Sequence, residues 1–137
     1  MLPVLSYRMA KVLIIDDDKS ICEALEFFLS EAGYKTYSIG CTSDPVSLAL
    51  QYQPDIIILD FFISGMCGED IALALRGNNE TLNLPIIMIS ANSEARQVAK
   101  NTGINKFIPK PFEISALLES IESLLSPTIN HTPSLYV

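Results

Sequence analysis

The stretch IIILDFFISG, at positions 56–65, indicates the fold class of the chain. Four apolar residues lead into a single carboxylate, Asp60, and two phenylalanines follow it. A nearly continuous apolar run is typical of a strand that is buried on both faces of a parallel sheet. A carboxylate is costly to bury without a partner. Asp60 therefore either marks a strand end that meets solvent or has a chemical role.

Short apolar runs and helical patterns alternate along the chain of 137 residues, which is long enough for one domain. The predicted strands are KVLIID (11–16), YKTYSIG (34–40), DIIILD (55–60), PIIMISA (85–91) and KFIPK (106–110). Five helices are predicted. The first ends at Gly33, the second starts at Asp44-Pro45, and the other three cover residues 68–76, 93–102 and 114–125. YKTYSIG mixes polar with apolar residues, so we expect it nearer an edge. The alternation predicts a parallel sheet with helices on both faces.

Polar side chains follow four of the five predicted strands, at the edge where ligands of such sheets bind. They are Asp16-Asp17, Asp60, Ser90 and Lys110. Carboxylates on adjacent loops repel one another unless a cation lies among them, and oxygen ligands at a shallow rim suit Mg²⁺. Lys110 can pair with a phosphate or with Asp60, and Ser90 offers a hydroxyl. Together these groups are what phosphoryl transfer requires.

These motifs resemble the receiver domain of two-component response regulators. The matching pieces are VLIIDDD, DIIILDFFISGMCGED, PIIMISA and KFIPKPF, and the resemblance covers roughly residues 10–126. It implies a flavodoxin-like (βα)5 doubly wound parallel sheet with strand order 2-1-3-4-5. The chain would consist of an N-terminal extension (1–9), the receiver domain (10–126) and a C-terminal tail or linker start (127–137).

The resemblance also implies a role for each residue of the rim. Asp60 would be the phosphorylated aspartate, and Lys110 would bind the phosphoryl oxygens. The implied Mg²⁺ ligands are Asp16, Asp17, Asp60 and the backbone carbonyl of Phe62. The family further uses a cis peptide to aim its lysine, which we expect between Lys110 and Pro111.

Two residues would carry the switch that the family uses. Ser90 would move towards the phosphate, and Phe107 would follow it inward. The phosphoryl group would come from a sensor histidine kinase or a histidine phosphotransfer protein. The surface of the fourth helix, fifth strand and fifth helix would then signal to an output partner of unknown kind. Such a protein is a switch rather than an enzyme, because it catalyses only its own phosphorylation and dephosphorylation.

The chain departs from the family pattern in the loop after Asp60. Ser64 stands where proline is usual, whereas Gly65 and Gly68 match the usual turn. Phe62 is bulky where methionine or a polar residue is more usual. A phenyl ring can obstruct an attacking water and cannot orient it, so we expect a long-lived phosphate.

Composition excludes several other functions. The net charge of −7 disfavours a nucleic-acid surface. The apolar stretches are too short to span a membrane, and no secretory signal opens the sequence, so we expect a cytoplasmic protein. The fifth helix has no Lys or Arg after Phe112, which favours a monomer or weak dimer over the salt-bridged dimers of one DNA-binding subfamily. Three scattered cysteines indicate reduced thiols, and one histidine, His131, disfavours a histidine metal site.

Three alternatives remain at this stage. A receiver-like interaction module that no longer cycles phosphate would not need the full set of rim residues. A phosphatase of the haloacid dehalogenase type would need a second aspartate two residues after Asp60, where this chain has Phe62. A flavodoxin would need a first loop that cradles phosphate, and DDDKS is acidic there.

Overall fold

A computed structural model of the chain describes residues 9–63 and 66–129, with the backbone alone for residues 62, 63, 66, 67 and 126–129. Residues 1–8 and 130–137, which hold most of the predicted extension and tail, lie outside the described residues, as do Ser64 and Gly65. The elements are β1 (Lys11–Ile15), α1 (Lys19–Glu31), β2 (Lys35–Ile39), α2 (Pro45–Tyr52), β3 (Ile56–Asp60), β4 (Phe62–Ile63), β5 (Met66–Cys67), α3 (Gly68–Arg76), β6 (Ile86–Ser90), α4 (Glu94–Asn101), β7 (Lys106–Pro109) and α5 (Ile114–Ile129).

The main sheet has five parallel strands in the order β2-β1-β3-β6-β7. Counted along the chain, its strands lie in the order 2-1-3-4-5, so the predicted flavodoxin-like topology is confirmed. The prediction that YKTYSIG lies at an edge is also confirmed, because β2 is an outer strand and none of its residues is fully buried.

Each face of the sheet has its own apolar core because side chains alternate along the strands. Leu13, Ile57 and Met88 point towards α2, α3 and α4. Val12 and Ile58 point the other way, towards α1 and α5. Burial on both faces explains why β1, β3 and β6 read as continuous apolar runs, and it places the polar residues at the strand ends.

α1 ends before Gly33 and α2 begins after Asp44, as predicted. Asp18 caps α1, where its Oδ1 accepts from the N–H groups of Ser20 and Ile21, and Asp44 caps α2. Gly33 and Gly103 have φ values of +96° and +74°, which explains the stops after α1 and α4. No helix within residues 9–63 and 66–129 is long and apolar enough to cross a membrane.

Two features differ from the prediction. Residues Phe62–Ile63 and Met66–Cys67 form a small antiparallel pair, and strands of two residues are too short to leave a periodic pattern in the sequence. α5 continues to Ile129, beyond the predicted helix over residues 114–125. Pro127 lies within the observed span of α5, although a proline in a helix lacks the N–H donor and its ring crowds the carbonyl four residues earlier.

Arg76, at the end of α3, ties together the loops at the amino ends of β6 and β7. Its Nε donates to the carbonyl of Gly103 at 3.0 Å, and its two terminal nitrogens donate to the carbonyl of Thr81 at 3.3 Å and to Asn105 Oδ1 at 3.0 Å. Asn105 Oδ1 also accepts from the N–H of Ile86 at 2.8 Å. Burial lowers the pKa of Arg76. The fork therefore anchors the edge of the sheet opposite the polar rim.

Candidate functional site

Three carboxylates converge at the carboxyl ends of β1 and β3. Ile15 pairs with Leu59 in the sheet, so Asp16 and Asp60 are the next residues along two neighbouring strands. One carboxylate oxygen from each of Asp16, Asp17 and Asp60 lies within 4.8 Å of the others. The structure thus brings together the three acidic residues that the sequence predicted.

Asp16 is held firmly in this cluster. Its N–H donates to the carbonyl of Ile39 at 3.0 Å, and its Oδ1 accepts from the N–H of Asp18 at 2.8 Å. Its carbonyl accepts from the thiol of Cys22 at 3.2 Å. The Asp16 side chain is only 6% exposed. The orientation of this carboxylate is therefore fixed by the fold rather than by solvent.

Lys110 brings the positive charge that the sequence placed here. Its Nζ lies 3.3 Å from Asp60 Oδ1 and 3.8 Å from Asp16 Oδ2. The backbone N–H of Lys110 donates to the carbonyl of Ser90 at 3.0 Å, which aligns the two strand ends. The peptide bond between Lys110 and Pro111 is cis, as predicted. One ammonium group thus contacts two of the three carboxylates.

The electrostatics of the rim favour an additional cation. Burial is the main cause that raises the pKa of Asp60, and the negative charge of Asp16 raises it further, against the opposing effect of Lys110. Burial also raises the pKa of Asp16, although the Asp18 N–H and Lys110 oppose it. The charged form of each carboxylate is therefore costly in this buried setting, and a bound cation would lower that cost. A set of hard oxygen donors this close together fits Mg²⁺.

The predicted switch residues lie on the neighbouring strands. Ser90, at the end of β6, is 3% exposed, and its hydroxyl accepts from the N–H of Asn92 at 3.0 Å. Asn92 in turn accepts from the N–H of Glu94 at 2.8 Å. Phe107, in β7, is partly buried, and the guanidinium of Arg96 lies 4.8 Å from its ring centroid. Ser90 lies at the rim and Phe107 lies two residues before the carboxyl end of β7, and each is engaged by α4 or the loop before it.

Comparison with known proteins decides the family. Residues 12–122 match the response regulator receiver domain family. The chain belongs to this family. The receiver domain is 30% identical over 122 residues to the DNA-binding dual master transcriptional regulator RpaA of Synechocystis sp., with 88% of this chain and 51% of RpaA covered. It thus spans about half the length of this curated relative.

Solved structures show the same fold. The chemotaxis protein CheY4 of Vibrio cholerae, crystallised at low pH, is 29% identical to this receiver domain with a TM-score of 0.78, and the match covers 86% of this chain and 100% of CheY4. A response regulator signal receiver domain from Bermanella marisrubri is 26% identical with a TM-score of 0.78, over 86% of this chain and 99% of the other. The prediction of a receiver domain in a two-component system is confirmed.

Gly68 is a structural requirement of the receiver site that its place in a turn did not reveal. Its N–H donates to the carbonyl of Phe61 at 2.8 Å. A Cβ at this position would lie 2.7 Å from the carbonyl oxygen of Asp60 and 3.0 Å from the Cα of Phe61. The start of α3 can therefore pack against the residue that carries the central carboxylate only because position 68 has no side chain.

The remaining predicted ligand is the carbonyl of Phe62. The backbone of Phe62 pairs with that of Cys67 in the small antiparallel ribbon that follows Asp60. Its side chain lies outside the described residues, so the proposed obstruction of attacking water stays a prediction. Sequence reasoning also missed Arg96, because its contact with Phe107 depends on how a helix packs against an edge strand.

Proposed function

We propose that this receiver domain is a phosphorylation-dependent switch in which Asp60 accepts the phosphoryl group. The observation that supports this most directly is the convergence at the rim. The Lys110 ammonium lies 3.3 Å from Asp60, and the three carboxylates lie within 4.8 Å of one another. Asp60 is the carboxylate at the centre of the sheet and the one that Lys110 contacts most closely.

The reaction is a transfer between two nucleophiles. A carboxylate oxygen of Asp60 attacks the phosphorus of a phosphohistidine, and the phosphorus–nitrogen bond breaks so that the imidazole leaves with its electron pair. Lys110 offsets the negative charge of the transferred oxygens, and it is already held in place by Asp60 and Asp16. The signal ends by hydrolysis. Water attacks the phosphorus and the bond between the phosphorus and Asp60 breaks, which releases inorganic phosphate and restores the carboxylate.

Asp16, Asp17 and Asp60, with the carbonyl of Phe62, are the residues that would hold Mg²⁺. When bound, the ion neutralises charge on the carboxylates and on the phosphoryl oxygens. The proposal is supported by the donor chemistry of this chain, which offers oxygen ligands only, and by the raised pKa values of Asp16 and Asp60.

The partners follow from the same chemistry. The donor is a sensor histidine kinase or a histidine phosphotransfer protein, and the signal leaves through the surface formed by α4, β7 and α5. The net charge of −7 favours a protein over DNA as the direct output partner. We further propose that residues 10–126 work as the receiver unit in the cytoplasm, as a monomer or a weak dimer, with Ser90 and Phe107 as the switch.

Phosphorylation by a small donor tests the acceptor directly. In Mg²⁺ and acetyl phosphate, the intact mass of the wild type is expected to rise by one phosphoryl group. Asp60→Asn should abolish the increase, and Asp17→Asn should slow it by removing a metal ligand. Asp18→Asn is the matched control, because it removes a neighbouring charge while asparagine still caps α1. Undiminished labelling of Asp60→Asn would exclude Asp60 as the acceptor.

A further inference from the structure

Phe107 is held by an arginine that the rim chemistry does not use. Arg96 is an exposed residue of α4, yet its guanidinium lies 4.8 Å from the centroid of the Phe107 ring. Ala95 and Ala99, on the inner side of α4, are 0% and 4% exposed and pack into the same core as Phe107. The helix therefore packs small side chains against the sheet and places the guanidinium of Arg96 over the ring of Phe107.

The same helix is connected to the hydroxyl of Ser90. The N–H of Asn92 donates to Ser90 Oγ at 3.0 Å, and the side chain of Asn92 accepts from the N–H of Glu94 at 2.8 Å. α4 begins at Glu94, and Arg96 follows in its first turn. If the Ser90 hydroxyl moves towards Asp60, it leaves the N–H of Asn92 and loosens the start of the helix that carries Arg96.

We infer that Arg96 is a positioning residue of the switch. Its guanidinium stabilises the Phe107 ring where the structure places it, for as long as Ser90 is bonded to Asn92. Loss of the Ser90–Asn92 hydrogen bond weakens the contact between Arg96 and Phe107. Conversely, release of the Phe107 ring favours loss of that hydrogen bond, because both changes involve α4. The inference rests on the proposed function, since it gives Arg96 a role only if phosphorylation of Asp60 moves Ser90 and Phe107.

The test observes the ring and the reaction separately. The probe is a single 4-fluorophenylalanine at position 107 of the full chain, followed by ¹⁹F NMR before any phosphodonor is added. Arg96→Ala should move this resonance and should speed phosphorylation by acetyl phosphate about threefold, the size expected of an exposed cation–π contact. Arg96→Lys keeps the charge but not the planar group, so its resonance and its phosphorylation rate should lie between those of Arg96→Ala and the wild type. Lys100→Ala removes the same charge from the same helix and should change neither readout.

Two outcomes would overturn the inference. One is an unchanged Phe107 resonance in Arg96→Ala. The other is an equal rate change in Lys100→Ala, which would reduce the effect to net charge. If acetyl phosphate labels no variant, the proposed function fails and the switch role of Arg96 fails with it, whereas the resonance still shows separately whether Arg96 holds the Phe107 ring.

Discussion

Asp60→Asn is expected to make the metal-free protein more stable, although it removes the central residue of the site. At an effective dielectric constant of about 20, Lys110 at 3.3 Å attracts Asp60 by about 5 kcal/mol, and the carboxylate of Asp16, within 4.8 Å, repels it by at least about 3.5 kcal/mol. Asp17 is exposed, so its repulsion is screened. Attraction and repulsion thus nearly cancel, and burial of Asp60, which is 12% exposed, decides the sign. We expect a gain of about 1 kcal/mol, or about 4 °C in Tm.

The pH dependence gives this prediction a signature. Because burial raises the folded-state pKa of Asp60 above its usual value of 3.8, the folded protein binds more protons than the unfolded chain between those two values. The free energy of unfolding of the wild type therefore falls as the pH rises through this window. Asp60→Asn has no carboxylate at position 60, so its free energy of unfolding does not fall for this reason. The advantage of the variant should be complete at neutral pH and should disappear as the pH approaches 3.8.

Urea unfolding in EDTA, followed by circular dichroism, measures the difference. Asp55→Asn is the matched control at the other end of β3. Asp55 Oδ2 accepts from the N–H of Lys11 at 2.7 Å, so its replacement should bring no gain. In saturating Mg²⁺ the order should reverse, since an ion at a hundredfold its Kd adds about 2.7 kcal/mol to a protein that binds it. Lower stability of Asp60→Asn in EDTA at neutral pH, or a gain that persists near pH 3.8, would refute the reasoning.

Three further substitutions test the contact beneath the site, the opposite edge of the sheet and the lifetime of the phosphate. Gly68→Ala should destabilise the protein by about 1–3 kcal/mol in urea unfolding and weaken Mg²⁺ binding, because the new Cβ would lie 2.7 Å from the carbonyl oxygen of Asp60. Gly40→Ala is the control and should hardly change the free energy of unfolding, because the space around Gly40 is open. Arg76→Lys should cost about 1–2 kcal/mol, because one ammonium cannot reach three separate acceptors, and an unchanged urea midpoint would contradict this. Phe62→Asn should speed decay of the phosphoprotein about tenfold, which corresponds to about 1.4 kcal/mol of barrier; an equal or slower decay would show that Phe62 does not obstruct water.

The sheet and the acidic rim were predictable because both follow from local patterns. Strands buried on two faces must be apolar throughout, so DIIILD and PIIMISA could be recognised without their neighbours. Parallel strands joined by helices place their carboxyl ends at one edge, so Asp16, Asp60 and Lys110 had to meet there once the alternation was recognised.

The contacts that the sequence did not predict depend on distances between elements. Gly68 looks like any turn glycine until α3 is packed against β3. Arg96 looks like any exposed helical residue until α4 covers Phe107. The helix predicted over residues 114–125 extends to Ile129 in the structure, through residues that were predicted as the start of the tail.

The hydrogen bonds around the carboxylates bear on how the domain tells one divalent ion from another. Asp16 has its Oδ1 engaged by the N–H of Asp18 at 2.8 Å, and Asp60 has its Oδ1 engaged by Lys110 at 3.3 Å. Lys110 also lies 3.8 Å from Oδ2 of Asp16, so donors of the protein already contact one oxygen of Asp60 and both oxygens of Asp16. Ca²⁺ takes about six to eight oxygen ligands and often binds both oxygens of a carboxylate. Mg²⁺ can bind a single oxygen of each carboxylate and retains several water ligands. The contacts that orient the acidic residues thus also select against the larger ion, so calcium at equal concentration should compete poorly.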